Sequence, residues 1–382
     1  EIRQLPGTVE VHQQIIPKLK LRIIADDIFI TEKFIATLPD EALVLKALGL
    51  MQEDYDLVLA TLNSRVDGIG GFYQPGTNMI HLIGSDFGDI EKWIYAHEYT
   101  HALTDQHFNL GQLGTYPECQ LPSQNCLAIQ ALVEGEAEVV QAMWFEQYGQ
   151  LVDINLYLFT PGTPLFSDGQ TPPPYFSMNS VFAYTIGGEF VAYLVEQGGG
   201  WRLVNQAYAN LPTTTEHILH PAKYLKGEDG IPVDDPPVCD ALGEGWRLVE
   251  RDSLGEWETM LLLGFGANEF AQLSPEVALG AAAGWGGDSY QVCYHEQDER
   301  TVLAAHWTWD TGKDHNEFLN SLNVHLAGRF QNASVEAIGK GTCWLYAGRY
   351  SCTFSQGKDV LWLIAPDLDT IETIKGLYPQ FP

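Results

Sequence analysis

The sequence predicts an α+β protein of two domains, on three observations. Its 382 residues are 45% hydrophobic and 18% charged, which is typical of a folded chain long enough for more than one core. Residues 227–238, GEDGIPVDDPPV, have the composition of a linker. Beyond them, from Tyr290, the pattern changes to strand, strand, helix, strand, strand, helix. We therefore expect a larger domain at residues 1–235 and a smaller α+β domain at residues 236–382.

The elements of the larger domain follow from residue periodicity and from turn and capping residues. A strand is predicted at 18–25, an amphipathic helix at 39–50 beginning near Pro39, and a β-hairpin at 70–86 with Met79–Ile83 as its return strand. A helix capped by Asp86 or Asp89 then extends to about Phe108. Further helices are predicted at 127–149, about 180–197 and 201–209, with an irregular proline- and glycine-rich segment at 160–176.

The smaller domain shows shorter elements in which apolar strands dominate. We expect a helix near 254–263, strands at 289–296, 301–310 and 359–366, a hairpin at 342–355, and helices at 315–328 and 368–378. None of these segments carries an obvious cluster of catalytic side chains.

The charge balance excludes some classes of partner. The chain has 50 acidic against 20 basic residues, a formal net charge of −30. Such a surface repels nucleic acid and anionic membranes, since binding to either depends on lysine and arginine. No apolar run reaches the roughly 18–20 residues that a membrane span needs. The chain begins at Glu1 without an apolar signal segment, and we expect a mature form that has lost any targeting segment.

The six cysteines form no C-x-x-C pair, which disfavours thiolate zinc ribbons and thioredoxin-like chemistry. Two spacings suit local disulfides, and the third pair follows from the remaining cysteines. The predicted pairs are Cys119–Cys126, Cys343–Cys352 and Cys239–Cys293. They indicate an oxidising compartment, and the alternative is six buried free thiols in a cytosolic protein.

The most informative stretch is YAHEYTHALTDQHF, residues 95–108. On a helix, His97 and His101 lie four residues apart on one face, so their imidazoles can share one zinc ion. Glu98 is one step round the helix, where a carboxylate can act as general base toward a water molecule that zinc activates. Because H-E-x-x-H also arises by chance, a third ligand is required.

The next predicted helix offers that ligand in ALVEGEAE. Glu134 and Glu138 lie four apart on one face, with Glu136 turned away. One carboxylate can bind the metal, and the other can accept a hydrogen bond from a liganding histidine. Gly135 and Ala137 are small enough to let this helix approach the first one closely. The alternative is a solvated acidic helix face.

These motifs resemble a known family. HEYTHALTD is similar to the active-site helix of thermolysin-like metalloproteases, and a Glu-x-x-x-acid motif on a following helix is typical of the wider gluzincin group. The wording VEGEAE, together with AHEYTHAL, DQHF and TEHILHPAKY, also resembles a group of uncharacterised bacterial proteins. The resemblance covers about residues 65–225 and is specific only at these motifs.

The resemblance implies a zincin-like fold for residues 1–235, with a mixed sheet and active-site helices. It implies one Zn²⁺ bound by His97, His101 and Glu134, with Glu98 as base and Glu138 as the partner of a liganding histidine. The resemblance further implies that one strand is the sheet edge with which an extended peptide substrate pairs. This strand consists of Met79, Ile80, His81, Leu82 and Ile83.

Two departures from the family pattern affect these assignments. The interval from His101 to Glu134 is longer than in thermolysin, and the Cys119–Cys126 loop fills it. Val133 occupies a position where thermolysin-like enzymes have an asparagine. Asp105, one turn after His101, is a candidate substitute for that second partner.

A hydrolytic transition state also needs a hydrogen-bond donor for its oxyanion. Tyr184 in AYTIGGEF and His220 in TEHILHP are both candidates for this role, and Glu216 is placed either to orient His220 or to cap a helix. For each residue the alternative is an ordinary packed aromatic or a surface histidine.

The sequence therefore predicts a secreted or extracytoplasmic zinc-dependent peptidase acting on a peptide or protein substrate. The competing hypothesis is an exported cell-surface or assembly protein that keeps the zincin fold and metal site without catalysis. The strongly acidic surface and the substantial C-terminal domain favour this second hypothesis.

Overall fold

Two β-sheets and a series of α-helices make up the fold, which a computed structural model describes for residues 2–64, 69–149, 171–331 and 333–381. The α+β class predicted from the sequence is therefore confirmed. Most of the predicted irregular segment at 160–176 lies outside the described residues.

The smaller sheet has three strands: β1 (His12–Ile16), β2 (Gly71–Gln74) and β3 (Met79–Ile83). Their order is β1-β3-β2, with β1 parallel and β2 antiparallel to β3. The predicted hairpin is thus present. The prediction that Met79–Ile83 forms the edge for a substrate is wrong, because both sides of β3 are already hydrogen-bonded to neighbouring strands.

The first helices differ from prediction in a way that burial explains. Residues 18–25 form part of α1 (Lys18–Ile28) and not a strand. In a strand, Leu19, Leu21 and Ile23 would share one face. Here Leu21 is fully buried whereas Leu19 is 72% and Ile23 61% exposed, so only one of the three contributes to the core.

The next helix, α2 (Glu32–Leu48), begins earlier than predicted. Its N-terminus is capped by Thr31, whose side chain accepts a hydrogen bond from the backbone N–H of Phe34 at 3.1 Å. Pro39 consequently lies inside the helix and not near its start. A short helix, α3 (Leu57–Ser64), follows.

Two long helices carry the motifs of interest. They are α4 (Asp89–Phe108) and α5 (Ser123–Tyr148). The cap of α4 is Gly88, whose N–H donates to the Glu91 carboxylate at 3.0 Å, so neither predicted aspartate caps it. The first N–H of α5 donates to Asp252 at 2.9 Å, which explains why this helix begins before residue 127.

The remaining helices of the N-terminal part are α6 (Pro174–Val181), a π-helical turn at Phe182–Ile186, α7 (Gly187–Gly198), α8 (Arg202–Ala209), α9 (Thr215–Leu219), α10 (Pro221–Lys226) and α11 (Val238–Ala241). Two of them, α7 and α8, match predicted helices, whereas α9, α10 and α11 were not predicted and α6 begins within the segment predicted to be irregular.

The C-terminal part is built on a seven-stranded antiparallel sheet of order β4-β5-β6-β10-β9-β8-β7. The strands are β4 (Trp246–Asp252), β5 (Trp285–His295), β6 (Arg300–Trp309), β7 (Ser334–Ile338), β8 (Gly341–Tyr346), β9 (Arg349–Gln356) and β10 (Asp359–Ala365). Its helices are α12 (Gly255–Gly264), α13 (Pro275–Ala282), α14 (Gly312–Arg329) and α15 (Leu368–Lys375).

The three predicted disulfides, Cys119–Cys126, Cys239–Cys293 and Cys343–Cys352, are all present. The largest group of buried apolar side chains includes residues from both sides of position 235, among them Leu45, Leu132, Phe190, Trp257 and Trp307. The two parts therefore share a core, and the predicted boundary at 235 stays a prediction. Within the described ranges, no helix is long and apolar enough to span a membrane.

Candidate metal centre

Three side chains from α4 and α5 converge at one point. His97 Nε2 lies 3.1 Å from His101 Nε2 and 3.1 Å from Glu134 Oε2, and His101 Nε2 lies 3.3 Å from the same oxygen. Among the described residues, this group alone brings three potential ligand atoms within 4.8 Å of one another in a way that could hold a metal ion.

The helical spacing explains the geometry of the pair. Residues four apart on α4 share a face, and the rings of His97 and His101 meet edge to face with centroids 4.8 Å apart. Both histidines are buried, and α5 brings Glu134 against them. Burial opposes charge on His101, but the Glu134 carboxylate prevails and raises the pKa of that imidazole to about 9. Burial likewise opposes ionisation of Glu134, yet the two histidines hold its pKa well below the usual range.

Glu98 lies beside this group, also buried. Burial raises the pKa of the Glu98 carboxyl, while His97 and His101 act in the opposite direction. The backbone N–H of Tyr73 in β2 donates a hydrogen bond to this carboxylate. Strand β2 therefore lies beside the candidate base.

The two predicted supporting carboxylates have different surroundings. Glu138 Oε1 lies 3.5 Å from His97 Nδ1, on the side of the ring that faces away from Glu134. Asp105 does not serve His101 as predicted. Its carboxylate accepts hydrogen bonds from the Tyr73 hydroxyl at 2.8 Å and from the N–H groups of Gly76 and Leu110, at 3.0 and 2.8 Å. Both oxygens of the Asp105 carboxylate are therefore occupied by these donors. Through Tyr73, Asp105 anchors strand β2.

Tyr184, one of the two predicted oxyanion donors, lies beside the candidate metal ligands. It sits in the π-helical turn, and its ring stacks on His97 at a centroid distance of 5.9 Å. Its hydroxyl is hydrogen-bonded to Glu134, and the Glu134 charge, together with burial of the hydroxyl, raises the pKa of Tyr184 well above its usual range. Because its pKa is raised, the Tyr184 hydroxyl keeps its proton and can donate a hydrogen bond.

A close helix contact positions this tyrosine. A Cβ atom added to Gly135 would lie 2.2 Å from the Gly187 carbonyl, and one added to Gly187 would lie 2.2 Å from the carbonyl oxygen of Ala131. The absence of side chains at both glycines lets α5 touch the start of α7. The sequence predicted a close approach of α5 to α4, whereas Gly135 faces the start of α7, directly after the turn that carries Tyr184.

His220, the other predicted donor, belongs to a separate cluster. Its Nε2 pairs with the buried Glu256 at 2.9 Å, a hydrogen bond that raises the pKa of His220. Glu216 pairs with Lys223 at 2.7 Å and does not orient His220 by a described hydrogen bond. The structure therefore brings Tyr184 to the histidine pair and places His220 against α12.

Sequence reasoning missed one group that holds the two ligand helices together. Glu136 points into the interior, where it accepts hydrogen bonds from Arg3, from Tyr208 and from the Thr104 hydroxyl of α4 at 2.9 Å. Arg3 is 2% and Glu136 1% exposed. No local sequence signal pointed to this pairing, because 133 residues separate Arg3 from Glu136.

A small cavity of about 160 Å³ opens beside the candidate metal ligands. His101 and Glu134 form part of its wall, and apolar side chains complete it, including Leu110, Leu113 and Val133. Tyr73 of β2 lines it as well, so this edge of the small sheet borders the space beside the candidate ligands.

Comparison with protein families matches residues 246–375 to a domain of unknown function (DUF8575). The match covers all seven strands of the larger sheet and none of the residues of the metal centre. Comparisons with curated proteins and with solved structures give no match.

Proposed function

We propose that this protein is a zinc-dependent peptidase of the gluzincin type. The observation that carries the proposal is the convergence of His97, His101 and Glu134, with the carboxylate of Glu98 next to them. The three disulfides support a secreted or extracytoplasmic location, where such a peptidase would meet peptide or protein substrates.

The donor set fits zinc. Two imidazole nitrogens 3.1 Å apart have lone pairs that repel each other unless a proton or a metal ion lies between them. Two nitrogens and one carboxylate oxygen are the ligands that catalytic zinc sites use, with a position left open. His97, His101 and Glu134 would hold the ion, and Glu138 would orient His97 through Nδ1. When bound, zinc supplies Lewis acidity, which lets water act as a nucleophile at neutral pH.

Proton transfer, stabilisation of the oxyanion and substrate binding are assigned to groups of the protein. Glu98 accepts a proton from the attacking water, and its buried position favours this role because a desolvated carboxylate is a stronger base. Tyr184 donates its hydroxyl proton in a hydrogen bond to the developing oxyanion. Strand β2 ends the described three-stranded sheet, and its outer backbone groups other than the Tyr73 N–H, which donates to Glu98, can pair with an extended peptide; this edge replaces the one first assigned to β3.

The decisive experiment compares Glu98→Gln with the wild-type protein. We expect both to contain zinc by elemental analysis and only the wild type to cleave a peptide library, in a chelator-sensitive manner. The loss should be at least about 100-fold, the usual contribution of a general base. Glu146→Gln, at an exposed position of α5, is the matched control and should cleave normally. If Glu98→Gln cleaves at the wild-type rate, the assigned base is wrong.

Two further outcomes separate the alternatives. Zinc-containing wild-type protein without any chelator-sensitive cleavage would favour a non-catalytic exported protein. A comparison of Tyr184→Phe with His220→Gln tests the oxyanion donor. We expect the first to lower kcat by about 100-fold, as removal of an oxyanion donor does elsewhere, and the second to leave kcat nearly unchanged.

A further inference from the structure

A second cavity lies apart from the metal centre. It has a volume of about 520 Å³ and opens between the C-terminal end of α2 and the sheet strands β6, β8, β9 and β10. This volume falls within the range of small-molecule sites. None of the metal-centre residues lines it, and nothing in the proposed peptidase chemistry uses it.

The residues that line this cavity carry a net positive charge, although the protein as a whole is strongly acidic. Lys46, Arg329 and Arg349 line it against Glu53 and Glu269, an excess of one positive charge, although the chain carries −30. Arg349 lies 3.5 Å from the exposed Glu53. Arg329 makes no ion pair with any described residue. Its burial, reinforced by the Arg349 charge, lowers the pKa of Arg329 to about 10. The cavity therefore concentrates positive potential that an anion can neutralise.

Arg329 is held rigidly in the wall. Its Nη2 donates to the carbonyl oxygens of Lys46 and Ala47, at 3.0 and 2.9 Å, at the C-terminus of α2. The guanidinium packs over Gly49, where an added Cβ would lie 2.7 Å from Cζ. Nη1 is buried without a hydrogen-bond partner, and so is Oε1 of Gln52, which also lines the cavity. Such unpaired groups are costly; Nη1 needs an acceptor and Gln52 Oε1 needs a donor, so a ligand carboxylate that comes within reach can pair with Nη1.

The rest of the wall is apolar and partly open. Aromatic side chains surround the arginines, among them Phe270, Phe330, Tyr346 and Tyr350. Phe270 is 75% exposed, which is unusual for so large an apolar side chain. A ligand that suits this wall combines one negative charge with an apolar or aromatic group, because a dianion would exceed the single surplus positive charge.

We propose that this cavity binds a small organic carboxylate that carries an apolar or aromatic group. The carboxylate contacts Arg349 and Arg329, and the apolar group packs against Phe270 and its aromatic neighbours. The same chemistry occurs in a free acid and at the C-terminus of a peptide.

The test is calorimetric titration of the full chain with N-acetyl-phenylalanine, in the presence of a chelator so that binding to a metal ion does not contribute. We expect N-acetyl-phenylalaninamide, which lacks the charge, to bind at least tenfold more weakly. Arg349→Gln should weaken the acid about tenfold, and Phe270→Ala should weaken it several-fold. Arg202→Gln, at an exposed arginine outside the cavity, should bind like the wild type. Arg329 is left unchanged because it caps α2.

Three results would overturn the proposal: no binding of the acid to the wild type, equal binding of the amide or of inorganic phosphate, or unchanged binding in Arg349→Gln. A longer peptide ending in phenylalanine identifies the source of the carboxylate. Tight binding of the peptide assigns the site to peptide C-termini, and its exclusion assigns the site to free acids. Because no metal is present in the titration, its outcome is independent of whether the protein is a peptidase.

Discussion

The buried pair of Arg3 and Glu136 offers the sharpest test of how the metal centre is held in place. The carboxylate of Glu136 neutralises Arg3 on one side and accepts hydrogen bonds from α4 and α8 on the other. The guanidinium also lies 4.6 Å from the ring centre of Trp201. We predict that Glu136→Gln destabilises the protein strongly, because Arg3 keeps its charge in a dry environment without a counter-ion.

The size of the effect follows from burial. Both side chains are at most 2% exposed, so water cannot solvate the charge that is left behind. Removing one partner of such a pair costs about 3–5 kcal/mol, against a total stability of roughly 5–15 kcal/mol for a folded domain. Since Glu136 is two residues from Glu134, and Thr104 is one turn beyond His101, we also expect zinc affinity to fall.

The assay is urea unfolding at neutral pH, with zinc affinity measured by competition with a chromophoric chelator. A double-mutant cycle with Arg3→Met isolates the pair, and we expect Glu136→Gln combined with Arg3→Met to cost less than the sum of the single changes. Lys92→Gln is the matched control, since Lys92 forms an exposed pair with Asp89 at 2.8 Å. Such exposed pairs contribute less than about 1 kcal/mol.

Two results would refute this reasoning. One is a loss in Glu136→Gln as small as that in Lys92→Gln. The other is strict additivity in the cycle, which would mean that each side chain acts through its own contacts and not through the ion pair.

Three further predictions concern separate parts of the molecule. Burial raises the pKa of Glu258 to about 8 from its ordinary 4.5, so the folded state favours the protonated acid. The stability due to this group is complete below about pH 4.5 and is lost toward pH 8, by up to about 1.4 kcal/mol per pH unit, and Glu258→Gln should remove that slope in pH-dependent unfolding. Gly135→Ala should cost at least about 1–3 kcal/mol and weaken zinc binding, because its methyl group would collide with the Gly187 carbonyl. Replacing Cys239 and Cys293 by serine should cost about 4 kcal/mol in unfolding experiments, since their disulfide closes a loop with a sequence separation of 54.

Each of these predictions has a contradictory outcome. Parallel pH profiles for the wild type and Glu258→Gln would show that Glu258 ionises normally in the folded state. Wild-type stability in Gly135→Ala would mean that α5 and α7 can separate without cost. For the disulfide, an unchanged urea midpoint in the serine variant, with wild-type protein under reducing conditions as the comparison, would contradict the loop-closure argument.

Local sequence was sufficient for the features that depend on spacing within one element. The i, i+4 histidines of α4 required only that residues 97–101 be helical, and the helix indeed covers them. The hairpin of β2 and β3 and the two short-range disulfides likewise depend on residues close in the chain. Elements with a weak apolar pattern escaped prediction, as in β7, where four of the five residues are exposed.

Local sequence patterns thus show which residues can share a helix face or a turn. The tertiary structure decided which of them meet. β3 is not an edge strand, because β1, more than 60 residues earlier in the chain, pairs with it in parallel. Glu136 is paired with Arg3, 133 residues away in the sequence, and His220 is paired with Glu256, 36 residues away. The physical reason is that periodicity reports only whether a side chain faces the interior, whereas a buried polar group takes whichever partner the packing of distant elements brings to it.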